Sequence, residues 1–200
     1  EEATEDIFRL AGTAEIDMED KLSERIVNSL RHRLPWLLIT LVGGLLAGRI
    51  IRGLEAELQA VVALAYFIPL LTGMGGNVGT QSSTLTVRGL ATGQVDAREL
   101  LITVGREAMV GMSVGLICGL IVTLVAFFWQ KSLLLGLVVG GALLGNMITA
   151  ATMGTFVPMV FKRLGIDPAV ASAPFISTSI DITGLLIYTG LASIFISRLA

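Results

Sequence analysis

The chain has 200 residues, 54% of them apolar and 15% charged, with a mean hydropathy of +0.81. Soluble domains carry about 45–50% apolar and about 25% charged residues, so composition excludes an ordinary soluble enzyme and a disordered tail. A net charge of −2 with no basic stripe sets nucleic acid aside as a partner, and the single Cys118 excludes an intrachain disulfide framework.

Charge is concentrated at the start. Residues 1–33 hold nine acids and five bases, and the other 167 hold seven acids and nine bases. This predicts a soluble acidic lead joined to a membrane body. Residues 1–16 read as the end of a preceding soluble domain and a linker, so the chain is expected to be part of a longer protein. Over residues 17–34, Met18, Leu22, Ile26, Leu30 and Leu34 recur at spacing four. That period predicts an amphipathic helix leading to the membrane. Residues 35–200 are expected to form the membrane domain.

A membrane-crossing helix needs about 20 mainly apolar residues. Five runs qualify: Pro35–Ile51, Leu58–Val87, Leu100–Trp129, Leu133–Phe161 and Pro174–Ile196. Pro35 suits a first helical turn, which would start span one there. The expected fold is therefore all-α, a bundle of five transmembrane helices. Basic residues near the span ends set orientation. Arg25, Arg31, Arg33, Arg88, Arg98, Lys162 and Arg163 fall on one side, and Arg49, Arg52, Lys131 and Arg198 on the other. The bias favours a cytoplasmic amino terminus. Arg106 and Glu107 lie near the cytoplasmic start of span three, where they can snorkel or pair.

Glycines recur every fourth position in span one (Gly44, Gly48), span three (Gly111, Gly115, Gly119) and span four (Gly136, Gly140; Gly141, Gly145). Small residues at this spacing let helices approach closely in lipid. They predict a compact bundle and carry no information about substrate.

Span two holds Pro69-Leu70-Leu71-Thr72-Gly73-Met74-Gly75-Gly76-Asn77-Val78-Gly79-Thr80-Gln81-Ser82-Ser83-Thr84, too polar for a helix facing lipid. Gly73, Asn77, Gln81, Thr84 and Arg88 share one helical face. That face must look at protein or water. It either lines a pore or glues helices together through its amides. Gly75-Gly76 after Pro69 also offers a place to unwind the helix and expose carbonyls, tolerated at this depth only where backbone is buried or lines a cavity. The run lacks the Gly-Lys-Ser/Thr ending of a phosphate loop.

Span five holds Pro174-Phe175-Ile176-Ser177-Thr178-Ser179-Ile180-Asp181-Ile182-Thr183-Gly184. Asp181 has no basic residue within a helical turn. A charge at the bilayer centre costs about 2.5–3.5 kcal/mol on insertion scales. It needs water, a cation or a polar partner. Ser177, Asp181, Gly184 and Tyr188 share a face. Asp181 is read as a carboxylate on a cation path, with a structural carboxylate bonded to neighbouring hydroxyls as the alternative. Asn146 and Thr149 of span four support this polar face or merely pack. His32 has no second nitrogen or sulfur ligand for zinc, and the seven methionines form no soft cluster for copper.

The available ligands are all oxygens, which suit Mg²⁺, Ca²⁺ or Mn²⁺. One acid per chain is too few for a dry divalent site, whereas two copies about a twofold axis supply two carboxylates. Mg²⁺ sheds water reluctantly, so a pore for the hydrated ion would need few carboxylates and many polar groups around them. The residues reach an oligomeric cation pore without choosing the ion.

The run from Pro69 to Ser82 closely resembles the signature of the MgtE family of magnesium channels. So do Asp167-Pro168-Ala169, Ala171-Ser172-Ala173-Pro174 and Ser179-Ile180-Asp181-Ile182-Thr183-Gly184, while Glu2-Ala3-Thr4-Glu5-Asp6-Ile7 resembles the exit of that family's CBS domain pair. The resemblance implies a homodimer of five-helix subunits in the plasma membrane, with the pore built mainly by helices two and five. It implies Mg²⁺ as the transported and bound ion, held largely through its waters by Asp181, with the backbone carbonyl of Ser177 taking part. The expected pore lining is then Gly73, Asn77, Gln81 and Thr84 with Pro174, Thr178 and Gly184. Some members carry Asn before the proline that opens the last helix; here Ala173 stands there, and that amide's role is absent or moved. The resemblance also implies cytosolic regulatory domains of the same chain that this sequence lacks, with residues 17–34 as their connecting helix.

The leading function is a passive Mg²⁺ channel that mediates influx driven by the membrane potential. The alternative is a proton-coupled secondary transporter for divalent cations, although such carriers more often show an internal repeat and coupled acid sites. An intramembrane aspartyl enzyme would need two carboxylates sharing a proton, and only Asp181 is central, so the chain is not expected to be an enzyme.

Overall fold

The computed structural model describes residues 11, 13, 22–53, 55, 61–170 and 173–199. Among these, regular structure is entirely helical. Five α-helices carry the fold: α1 (Leu22–Gly53), α2 (Ile68–Ala91), α3 (Leu100–Gln130), α4 (Leu133–Arg163) and α5 (Ala173–Leu199). Among the described residues, five stretches are long and apolar enough to cross a membrane: Ile26–Gly53, Val62–Ala91, Ala97–Gln130, Leu133–Arg163 and Ala173–Phe195, the second and third including the 3₁₀ turns that precede α2 and α3. Short 3₁₀ segments at Val62–Phe67, Ala97–Glu99 and Pro168–Val170 lead into or join them.

The termini of these helices follow local chemistry. Ser132 caps α4, its hydroxyl accepting the Leu135 N–H at 3.2 Å. Asp96 caps the turn before α3 by accepting the Arg98 N–H at 2.8 Å. Asp167 accepts the Ala169 N–H at 2.9 Å, opening the 3₁₀ turn at Pro168. Gly165, with φ of +73°, turns the chain after α4. Arg163 at the end of α4 donates to the carbonyls of Ala97 (2.6 Å) and Arg98 (3.0 Å), which ties the α2–α3 loop to α4.

α1 differs from expectation. It runs unbroken through Pro35, which therefore lies inside the helix rather than in a first turn. A transmembrane helix tolerates an interior proline where its surroundings satisfy the freed carbonyl. The stretch long and apolar enough to cross a membrane begins at Ile26. Most of the connecting segment expected over 17–34 thus belongs to the same rod as span one, and residues 17–21 lie outside the described residues, as does most of the lead at 1–16.

α4 is the centre of the bundle. More than half of its apolar stretch is buried, and it packs against α2, α3 and α5. Leu135, Val139, Leu143 and Met147 of α4 join Leu71 of α2 and Tyr188 of α5 in the main apolar core. The α3–α4 seam is the close glycine contact that the spacing predicts. A Cβ on Gly111 would sit 2.6 Å from the Met147 carbonyl, and one on Gly119 2.8 Å from the Gly140 carbonyl. Thr123 shares its hydroxyl across the seam, 2.8 Å from the Gly119 oxygen and 3.0 Å from the Gly136 oxygen. Gly44 and Gly48 of α1 behave differently: a Cβ on either meets nothing within 4 Å. Among the described residues they make no tight seam. α1 instead touches α5 at Gly43, which is buried beneath the Thr178 side chain.

The 3₁₀ segment ahead of α2 is anchored from two sides. Tyr188 of α5 donates its hydroxyl to the Leu64 carbonyl at 2.8 Å. Phe67 lies against Trp129 of α3 with ring centroids 6.5 Å apart. These contacts hold α2 beside α5 from its first turn.

Candidate ion site between the second and fifth helices

α2 remains a regular helix through Gly75-Gly76. The unwinding that these glycines would allow does not occur, and the helix continues across both. The irregular backbone lies earlier, in the 3₁₀ turn at Val62–Phe67.

α2 divides cleanly into two faces. Leu71, Gly75, Gly76, Gly79, Ser82, Ser83 and Thr86 are buried. Asn77, Gln81, Thr84 and Arg88 are exposed, as is Gly73. The polar stripe read from the sequence is thus a single face, and it points out of the helical bundle.

That face meets α5 at an open cleft of about 260 Å³ lined by Thr72, Gly73, Gly76, Asn77, Thr80, Ser177 and Asp181. Gly76 makes the approach possible, since a Cβ there would lie 3.3 Å from Ser177 Cβ and 3.9 Å from Asp181 Oδ1. A Cβ there would already press on Ser177 more tightly than ordinary van der Waals contact. The hydroxyls of α5 turn back onto their own helix: Ser177 donates to the Pro174 carbonyl (3.2 Å), Ser179 to Phe175 (2.9 Å) and Thr183 to Ser179 (3.0 Å). Having donated its proton, the Ser177 oxygen still has lone pairs to present to the cleft. The cleft is therefore an oxygen surface with one carboxylate. No group of three or more His, Cys, Asp or Glu residues suited to a metal exists among the described residues, so any cation here would be held mainly by neutral oxygens and water.

The predicted residues separate into three places. Gly73, Asn77, Ser177 and Asp181 come together in the cleft. Gln81 and Thr84 continue the same exposed face beyond it. Pro174, Thr178 and Gly184 do not line this cleft. Pro174 is half-buried at the start of α5, Thr178 is buried against α1, and Gly184 is buried against Asn146 of α4. Tyr188, expected on the face of Asp181, is buried in the core instead. A helical face of about 100° is wide enough to straddle a cleft and its supporting wall.

Asp181 also borders a second, more apolar crevice of about 420 Å³ between α1, α2 and α5, with Thr40, Gly43, Thr72 and Thr178 in its wall. Sequence reasoning misses Thr72, Gly76 and Thr80. They form the neighbouring stripe at spacing four, and that register is the available signal. It also leaves the role of Asn146 undecided, and this side chain is fully buried. Glu107 of α3 is not an isolated headgroup anchor: it accepts a 3.0 Å hydrogen bond from Ser82 of α2.

Residues 68–191 match the family model for MgtE, described as a divalent cation transporter. The chain belongs to the MgtE family. It is 40% identical over 168 residues to the magnesium transporter MgtE of Bacillus subtilis (strain 168), covering 84% of this chain and 37% of that protein. It is 38% identical to the magnesium transporters MgtE of Enterococcus faecalis (98% of this chain, 42% of the relative) and Thermus thermophilus (96% and 42%). The chain thus spans about two fifths of the length of these relatives. Family and helices together make it a multi-pass membrane protein. The matched region runs from the first turn of α2 well into α5, and so contains every residue of the cleft.

Proposed function

We propose that this chain is the pore-forming part of a magnesium channel. It mediates Mg²⁺ influx across the plasma membrane, with the amino terminus in the cytoplasm. The observation that carries the reading is the open cleft, in which Asp181 and Ser177 of α5 face Asn77 and Thr80 of α2 on the outside of the subunit. A carboxylate and amides on a lipid-facing surface would be strongly unfavourable. A second copy of the chain, placed against this face, would turn two half-clefts into one polar path with two carboxylates.

The size of the cleft supports a hydrated ion. A cleft of about 260 Å³ with polar walls has room for several waters. Mg²⁺ keeps several waters when bound, so Asp181 and the Ser177 carbonyl act on it largely through that shell. The relatives are named magnesium transporters, which agrees with an oxygen-only site. In the same reading, the α1 rod links the pore to cytosolic regulatory domains of the same protein, with residues 1–16 as the exit of such a domain and 17–34 as the connecting helix.

The test is Mg²⁺ uptake into liposomes holding a fluorescent indicator, at an imposed inside-negative potential, with and without a proton gradient. A channel gives flux that follows voltage and ignores the proton gradient. Flux that requires the proton gradient would replace the channel with a coupled carrier.

A further inference from the structure

Behind the cleft, one side chain touches both helices that form it. Asn146 of α4 is fully buried and fills a notch between Gly75 of α2 and Gly184 of α5. A Cβ on Gly75 would lie 2.9 Å from Asn146 Cγ and Oδ1, and one on Gly184 would lie 2.6 Å from Oδ1 and 2.7 Å from Cγ. The amide therefore rests against bare backbone on both sides. Its Nδ2 donates to the Leu71 carbonyl at 2.7 Å, while Oδ1 has no hydrogen-bond partner among the described residues.

That orphaned oxygen is informative. A buried acceptor without a partner is a net cost to the fold, and an apolar side chain of similar size would not carry it. What the amide does supply is a donor to Leu71 and a flat body thin enough for the notch. Leu71 and Gly75 belong to the turns of α2 that present Thr72, Gly73, Gly76 and Asn77 to the cleft. Gly184 lies three residues beyond Asp181 on α5. The separation and rotation of the two cleft-forming helices are thus set where Asn146 stands.

We propose that Asn146 is a positioning residue, which fixes the width of the cleft between Asn77 and Asp181 and thereby the hydrated cation that fits it. The proposal rests on the reading of the cleft as an ion path. Width matters because Mg²⁺ demands a small, near-octahedral shell, whereas Ca²⁺ accepts longer bonds and more ligands. A rigid wall favours the first, and a loosened one admits the second.

The experiment measures Mg²⁺ and Ca²⁺ uptake by the full chain in liposomes, normalised to folded protein, for the parent chain, Asn146→Ala, Asn146→Leu and the Asn146→Ala/Gly75→Ala pair. Asn146→Ala is expected to shift the Mg²⁺/Ca²⁺ flux ratio about threefold toward Ca²⁺, the size of one lost interhelical hydrogen bond. The added methyl of Gly75→Ala partly refills the notch and should bring the ratio back toward the parent value. An unchanged ratio in folded Asn146→Ala, with only thermal stability reduced, overturns the proposal and leaves Asn146 as packing. If Asn146→Ala does not fold, Asn146→Leu, which keeps the bulk and lacks the amide, decides on the same ratio. The two readings fail separately. Parent-level flux in Asp181→Asn removes the ion path itself, whereas loss of flux there with unchanged ratios in the Asn146 variants removes only the positioning role.

Discussion

Two helix pairs in this protein are rich in small residues and use them for opposite ends. Along α3 and α4, Gly111, Gly119 and Gly140 bring backbone against backbone, and the one polar group in the middle, Thr123, bonds to carbonyls on both sides. The crevice of about 180 Å³ beside these glycines is walled by Leu116, Leu120, Leu137 and Leu144, with Thr123 as its one polar side chain. Along α2 and α5, Gly76 and Gly79 allow the same close approach, but the residues beside them are Thr72, Asn77, Thr80, Ser177 and Asp181, and the contact opens into a cleft. Glycine spacing alone does not separate the two pairs. The polarity of the neighbouring stripe does, because lipid association rewards close packing in both cases while only a wet or shared face tolerates amides and a carboxylate.

This contrast predicts which measurements each region controls. The largest effect should come from Asp181→Asn. Removing the charge from the cleft is expected to lower Mg²⁺ flux by about tenfold or more, the factor produced by about 1.4 kcal/mol. Thermal unfolding in detergent should stay unchanged, because the carboxylate borders open clefts rather than the apolar core. Parent-level flux in folded protein would erase the distinction between the two pairs. Gly140→Leu should do the reverse. Its side chain would enter the space of the Thr123 hydroxyl and of the Gly119 carbonyl, and overpacking of this kind typically costs about 1–3 kcal/mol. A lower unfolding temperature is expected, with flux per folded molecule and ion preference preserved; altered ion preference would mean that the seam also shapes the path. The smallest effect should be Asn77→Ala, about a threefold loss of flux with stability retained, as befits one amide acting through water. A loss as large as that of Asp181→Asn would make Asn77 a direct ligand.

Much of this architecture is legible in the amino-acid sequence. All five spans are, since an apolar run of the required length has few other uses. The start of span one is not, because Pro35 has the features of a helix start in a soluble protein, whereas here it is interior to α1. Asp181 is legible because an acid in an apolar helix stands out. Gly184 and Tyr188 share a helical face with Asp181 by spacing and yet are buried, because spacing assigns a residue to a face without telling which neighbour covers it; Thr178, expected in the lining from the family resemblance, is buried as well. In the folded chain α1 covers Thr178 and α4 covers Gly184.

The helical membrane fold, the polar stripe of α2 and the single carboxylate of α5 all follow from the order of the residues, because burial in lipid constrains composition along one helix at a time. The packing of the helices adds that Thr72, Gly76 and Thr80 join the cleft, and that Asn146 stands between Gly75 and Gly184. Those facts depend on how three helices rotate against one another. That rotation is set by shape complementarity between residues distant in sequence, which no local period encodes.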